Sequence, residues 1–359
     1  VKKLFNWSFI LPLIAWIAYF FHWADGSVVL EMLTGLLLIG AVLSGVHHSE
    51  VIAVRVGEPF GTILLAVAIT IIEVALIITL MMSGGEKALY LARDTVFSAV
   101  MLILNAIIGI CILVGSAKHF EQSFQKDSVN TALVSLIAIL VLTLILPNYT
   151  TSVSGPRYSE VQLIFIGIAC LGIYGTFLLV QTVRHKNYFL SEHPAEAVQP
   201  TENAGPPDNF HLMMSLLFLL ISLGVVVLLA KAFSPAIEAA VIRAGLPNSL
   251  VGVLIAALVL LPEGMAAIIA ARKNNLQTSL NLALGSALAS IGLTIPAVVF
   301  VSRLLHLDLI LGLDTKSMIL LGLSIFTVML SLSKGKTNIL YGVVLLVNLG
   351  AYIFTVIFP

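Results

Sequence analysis

Two glutamates stand where a charged side chain is costly. Glu73 is the only charged residue between Gly61 and Met82, and Glu263 is the only one between Asn248 and Ala271. Each of these apolar runs is long enough to cross a hydrocarbon layer ~30 Å thick as a helix. At ~1.5 Å of rise per residue, each acid falls within a few ångströms of the midplane. An ionised carboxylate there costs several kcal/mol unless a partner, water or a proton compensates it. Neither run, nor the uncharged helix expected after it, contains a lysine or arginine, so these segments supply no permanent ion pair. Two ways of quenching the charge remain. A proton serves because a low-dielectric setting favours the neutral carboxyl, and a metal cation serves because carboxylate and carbonyl oxygens are hard ligands. A pair of acids that takes either, but not both at once, is the coupling site of an exchanger.

Residues around the acids are of the type that supplies oxygen ligands. Thr70 lies three positions before Glu73 and so on the same helical face. Pro262 directly precedes Glu263, and its missing N–H frees a carbonyl one turn back that could turn toward an ion. The helices that follow carry Ser98 and Asn105 in one half, and Asn281, Gly285, Ser286, Ser290 and Thr294 in the other. Small residues also let membrane helices approach closely, which is the packing alternative for the serines. An amide at the depth of Asn105 needs a partner, and Pro296 should bend its helix near Thr294. Two other uses of the acids are protonated hydrogen-bond glue between helices and the lining of a passive pore. Their matched placement in two halves favours transport.

The elements that must hold these residues are transmembrane helices. The chain has 359 residues, 59% hydrophobic and only 10% charged, against about 25% charged in soluble domains. Eleven apolar runs are expected to span: 4–21, 28–46, 61–82, 95–116, 129–147, 161–183, 212–230, 248–271, 278–302, 317–333 and 337–357. The one long hydrophilic break, residues 184–210, holds Pro194, Pro200, Pro206 and Pro207 and reads as a linker. The division is therefore an N-terminal helix (1–27), a first five-helix repeat (28–183), the linker, and a second five-helix repeat (211–359). Amphipathic stretches, Glu50 to Phe60 and Ser234 to Pro247, precede the glutamate-bearing run in each half. Five is odd, so consecutive copies enter the membrane from opposite sides and the repeats are inverted.

With the N-terminus inside, Lys2, Lys3, Arg55, Lys118, Lys126, Arg184, Lys186, Arg272, Lys273, Lys334 and Lys336 all fall inside, most of the 18 Lys+Arg. That bias makes the N-terminus and the linker cytoplasmic. The opening run lacks a small-x-small cleavage pattern and reads as a retained helix rather than a signal peptide. His47 and His48 are read, like the other histidines, as near membrane ends and mostly solvated, with sensing of proton concentration near an entry path as their alternative use. Cys111 and Cys170 sit in apolar runs without metal or redox spacing. Lys+Arg and Asp+Glu balance at 18 each, so nothing points to nucleic acid. No Gly-x-Ser-x-Gly, His-Glu-x-x-His or P-loop pattern indicates an enzyme, and no cofactor is expected.

Leu260 to Val298, LLPEGMAAIIAARKNNLQTSLNLALGSALASIGLTIPAV, resembles the second signature repeat of the calcium/cation antiporter superfamily, related to the calcium/proton exchangers. The nearest likeness is to bacterial ChaA-type cation/proton antiporters. Gly57 to Ile77, GEPFGTILLAVAITIIEVALI, is similar to the first repeat. The resemblance implies a multi-pass bacterial inner-membrane transporter in which Glu73 and Glu263 bind cation and proton alternately. Calcium-selective relatives carry Gly-Asn-x-x-Glu in both repeats. Here Thr70 takes the asparagine position in the first and Val259-Leu260 replaces Gly-Asn in the second, which leaves room for Na⁺ or K⁺ beside Ca²⁺. The partners are thus inorganic cations, protons and the bilayer, and the alternative is a channel or uniporter that uses the same acids as a selectivity site. The sequence sets no oligomeric state.

Overall fold

The computed structural model describes residues 7–56, 70–71, 73–75, 77–78, 81, 89–189, 209–247, 249–305 and 308–358. Its elements are α1 (Trp7–Phe20), α2 (Val28–Val56), α3 (Leu91–Met101, a π-helical turn Leu102–Ile107, then Ile108–His119) and α4 (Lys126–Leu140, followed by a π-helical turn Val141–Ile145). There follow α5 (Glu160–Leu179 with a π-helical turn Val180–Arg184), α6 (Lys186–Phe189), α7 (Asn209–Arg243), α8 (Ser249–Arg272), α9 (Leu276–Leu304), α10 (Thr315–Leu332) and α11 (Ile339–Ile357). Two short strands, β1 (Gln122–Ser123) and β2 (Lys336–Thr337), pair antiparallel.

Among the described residues, eight helices are long and apolar enough to cross a membrane, or nine if the bent α8 counts as one span, with Trp7–Phe20 a shorter apolar helix. All but one of the eleven expected runs coincide with one of these. The exception, 61–82, lies mostly outside the described residues. The amphipathic stretches are not separate elements where they are described. Val28–Val56 and Asn209–Arg243 run through the expected breaks as single helices of 29 and 35 residues, the latter across Pro235. A continuous backbone keeps its i→i−4 bonds at the membrane boundary, where a break would expose them.

The chain packs as two units, each drawing on both sides of the linker. In the first, 1–84 with 200–251, α1, α2 and α7 meet through close contacts. Trp16 Nε1 donates to the Ile221 carbonyl at 3.2 Å, and Ser44 and Ser222 hydroxyls meet at 3.3 Å. A Cβ on Gly35 would come within 3.0 Å of the Phe233 ring, so glycine sets that separation. His48 departs from the expectation of a solvated residue. It is buried against Phe9 and Phe218, with Nε2 3.1 Å from the Ser8 carbonyl.

The second unit, 85–199 with 252–359, contains α3 to α6 and α9 to α11, with most of α8. The small-residue helix α9 is its central element, packed on α3, α4 and α5, and its buried face runs from Leu276 to Ser302. Helices start on side-chain caps: Asn275 for α9, Asp314 for α10, and a Ser159/Gln162 capping box for α5. Each such cap contributes about 1 kcal/mol by satisfying an orphan N–H.

Charge divides sharply between the two ends of this unit. One end gathers Lys118, Lys126, Arg184 and Lys186 with Arg272, Lys273, Lys334 and Lys336, against the acids Glu121 and Asp127. Its helix ends are tied together, Lys118 Nζ and His119 Nε2 lying 3.3 and 3.1 Å from the Arg272 carbonyl. The other end is balanced by ion pairs: Arg93–Asp94 at 2.6 Å, Arg303–Glu160 at 2.9 Å and Arg157–Asp308 at 3.7 Å.

α11 lies against α3 at Gly342, where a Cβ would stand 2.7 Å from the Leu113 nitrogen and 2.9 Å from the Gly109 carbonyl. These are backbone atoms and cannot swing aside. Gly342→Val should therefore cost about 1–3 kcal/mol and lower the thermal unfolding midpoint in detergent. Gly350→Val, at a position with open space around the glycine, should leave that midpoint nearly unchanged.

Candidate functional site

Glu263 opens the second limb of a broken helix. The α8 segments Leu250–Leu261 and Glu263–Arg272 meet at 56°, with Pro262 at the corner. Proline cannot donate to the carbonyl four residues back, that of Leu258, and a proline ring crowds the carbonyl at that position; sharp kinks follow from both. The Glu263 carboxyl thus stands at the bend itself, on the first residue after the proline. Glu263 itself is half-buried.

The limb that follows packs on the π-helical turn of α3. A Cβ on Gly264 would lie 3.4 Å from Ile107 Cδ1, so this glycine brings the α8 backbone close to residues 102–107. That turn holds Asn105, which is fully buried. Its amide nitrogen donates to Ser324 Oγ at 2.9 Å and to the Met101 carbonyl at 3.0 Å. Ser324, on α10, is itself fixed by donating to the Leu320 carbonyl at 2.9 Å. With its donor end clamped, the amide presents its carbonyl. Among the described residues Asn105 Oδ1 is buried with no hydrogen-bond partner. A buried acceptor left this way forfeits about 1–3 kcal/mol, a cost that a cation or a protonated group would recover. π-helical turns recur at functional sites because the wider turn re-aims side chains.

A second oxygen of this kind is Thr294 Oγ1, also fully buried and without a partner among the described residues. Gly292 and Pro296 of α9 lie against Tyr174 and Gly167 of α5. Thr294, about 200° round the helix from Gly292, faces away from α5. Ser290 is buried and Ser286 half-buried on the same helix.

The remaining candidates are placed differently. Ser98 Oγ is 2.8 Å from the Tyr352 hydroxyl and pins α3 to α11. Asn281 belongs to a polar knot at the basic end, donating to the Phe189 carbonyl at 2.8 Å and accepting from Gln277 at 2.9 Å. Thr70 and Glu73 lie in the other packing unit, on helical backbone, and both are buried. Sequence reasoning did not single out Ser324, Tyr352 or Met101 as supports. Mid-membrane polar residues at Ser324 and Tyr352 were the available signal.

A bent span beside a π-helical turn, with buried oxygens and an acid within an apolar helix of a nearly all-helical chain, is an arrangement suited to handling ions within a membrane. The chain belongs to the sodium/calcium exchanger protein family, which it matches over residues 26–183 and 214–358. It is 45% identical over 342 residues to a provisionally named ionic transporter, y4hA, of Sinorhizobium fredii, covering 94% of this chain and 92% of that protein. It is 29% identical over 353 residues to the sodium-potassium/proton antiporter ChaA of Escherichia coli, covering 97% and 95%. Among solved structures, the H+/Ca2+ exchanger CAX shares the fold, with a TM-score of 0.71 at 14% identity over 96% of this chain and 86% of that one.

If Pro262 makes the bend, Pro262→Ala should straighten α8. Spin labels at Leu254 and Arg272 should then move apart by about 3 Å, from the ~1.5 Å rise per residue applied to bent and straight limbs. An unchanged distance distribution by electron double resonance would assign the bend to packing instead.

Proposed function

We propose that this chain is a secondary active antiporter that exports Ca²⁺, Na⁺ or K⁺ in exchange for protons, by alternating access around Glu73 and Glu263. The observation that carries the reading is the geometry at Glu263. The acid directly follows Pro262 in a helix bent by 56°, and the π-helical turn of α3 that packs on this helix through Ile107 carries, on its other face, Asn105 with a buried carbonyl oxygen that has no partner among the described residues. Such a place suits a desolvated cation or a proton and little else.

Glu73 and Glu263 hold the cation or the proton, and Thr70 and Asn105 supply neutral oxygens. Pro262 frees the Leu258 carbonyl, and Ser286, Ser290 and Thr294 line the neighbouring helix. Ser98 and Asn281 act by bracing the helices that carry the ligands. The relatives support the chemistry: one is a sodium-potassium/proton antiporter and a fold neighbour is a H+/Ca2+ exchanger. The two matched family segments, on either side of the linker, support the division into two halves, which we take as inverted five-helix repeats after an N-terminal helix. The basic end of the second unit supports placing Lys118, Arg184 and the linker in the cytoplasm of a bacterial cell, hence a cytoplasmic N-terminus.

Glu73→Gln and Glu263→Gln should each abolish exchange in proteoliposomes, a loss of at least a hundredfold, while membrane yield and monodispersity stay at the wild-type level. With a pH dye inside, adding the cation outside should move the internal pH when the wild type is present, even with the potential clamped. Cation uptake with no proton movement would identify a channel or uniporter, and full exchange in both glutamine variants would defeat the site assignment.

A further inference from the structure

A groove of about 610 Å³ opens on the outer surface of the second unit between α4 and α5, within the ~300–1,000 Å³ of ligand clefts. Asn130, Val134 and Ser135 form one wall, and Gly172, Thr176 and Val180 the other. The gap exists because nothing lies within 4 Å of where a Cβ on Gly172 would be. Its hydroxyls are already spent. Thr131, Ser135 and Thr176 donate to the Asp127, Thr131 and Gly172 carbonyls at 2.7, 2.9 and 2.7 Å, which leaves the walls apolar in effect. Val134, Leu171, Leu179 and Val183 are exposed around it, so the groove faces the membrane.

Its mouth is at the basic end of the unit. Lys126, Asn130 and Val134 follow at intervals of four and line one face of α4. On α5 the series Gly172, Thr176, Val180 drifts round the helix by ~40° per step. The wider π-helical turn Val180–Arg184 rotates the chain back, so Arg184 returns toward the groove. Lys186 stands two residues on. Lys126, Arg184 and Lys186 are exposed, and among the described residues none of them is in an ion pair. Among the described residues the acid beside them, Asp127, points ~100° away from Lys126 on α4.

We propose that this groove binds an anionic phospholipid. One acyl chain occupies the space beside Gly172, and the phosphate rests at the mouth on Arg184, Lys126 and Lys186, with the Asn130 amide donating to a phosphate or ester oxygen. Among the described residues at the mouth, three cations against one acid favour a lipid of net negative charge over a zwitterion, whose ammonium they would repel.

The test is native mass spectrometry of the full chain in detergent, titrated with phosphatidylglycerol or phosphatidylcholine of the same acyl composition. Phosphatidylglycerol should be retained and phosphatidylcholine not, with retention falling as salt rises. The double variant Arg184→Gln/Lys186→Gln should weaken phosphatidylglycerol binding roughly fivefold for each cation removed, and Gly172→Leu should abolish it with every charge in place. The cations are exposed, so the double variant folds as the wild type does and carries the test if Gly172→Leu does not fold. Equal retention of both lipids, or wild-type retention in the double variant, would overturn the proposal. So would efficient disulfide cross-linking of two Gly172→Cys chains in lipid-depleted detergent, which would assign the groove to a second copy. No transport is measured, so the outcome is independent of the antiport reading.

Discussion

Hydrocarbon cannot hydrogen-bond, and that one fact orders this structure. Every polar group placed among the spans must find a partner inside the protein. The hydroxyls show how routinely this is met. Thr34, Thr143, Thr182 and Thr327 each donate to the carbonyl four residues back, at 2.8, 2.7, 2.6 and 2.8 Å, which satisfies the hydroxyl without demanding anything from a neighbouring helix. Against that background the Asn105 carbonyl and the Thr294 hydroxyl belong to a smaller set of buried polar atoms, Thr95 and Ser116 hydroxyls among them, that have no partner among the described residues. An asparagine has two donors and two acceptor sites to satisfy, and here the surroundings meet only the donor side. The Ser324 clamp is what prevents the amide from turning to share the deficit.

Helical irregularity does related work. α3, α4 and α5 each contain or end in a π-helical turn, and α8 is bent. A regular helix fixes which side chain faces which neighbour at every 3.6 residues. A π-helical turn resets that phase once, at the cost of one looser hydrogen-bonding ring. In α3 the reset falls at Asn105 itself, and the Gly264 backbone lies against the same turn. In α8 the bend makes Glu263 the first residue after the corner. The two devices meet where the chain has an intramembrane acid, and that coincidence is harder to produce by packing alone than either feature separately.

Apolar length and charge placement made most of the spans legible in the sequence, because a membrane imposes one length scale on every crossing. The bend at Pro262 was legible too, since a missing N–H is a covalent fact. What the sequence did not reveal were the joins between elements. Val28–Val56 and Asn209–Arg243 continue past the apolar run because backbone hydrogen bonding, unlike hydropathy, does not stop at the interface. The burial of His48 and the sequestration of Asn281 were hidden for a different reason. Each depends on a partner remote in sequence, the Ser8 carbonyl in one case and the Phe189 carbonyl in the other. The π-helical turns have no compositional mark, since LILNAI and VLTLI differ from their regular flanks in nothing but phase.

Charge balance ties the proposed ligand set to the coupling. Two carboxylates carry at most two negative charges, and no arginine or lysine shares their spans. A divalent ion is fully quenched only when both acids are ionised, so its release requires two protons if the site is to stay neutral. A monovalent ion leaves one charge over, which a single proton on the other acid removes, and its exchange then turns on one proton. Neutral oxygens such as Thr70 and Asn105 do not alter this count; they change how much dehydration each cation can tolerate. On the proposed mechanism the same pair of acids would accommodate ions of either valence, and the number of protons moved would follow from the charge of the ion carried.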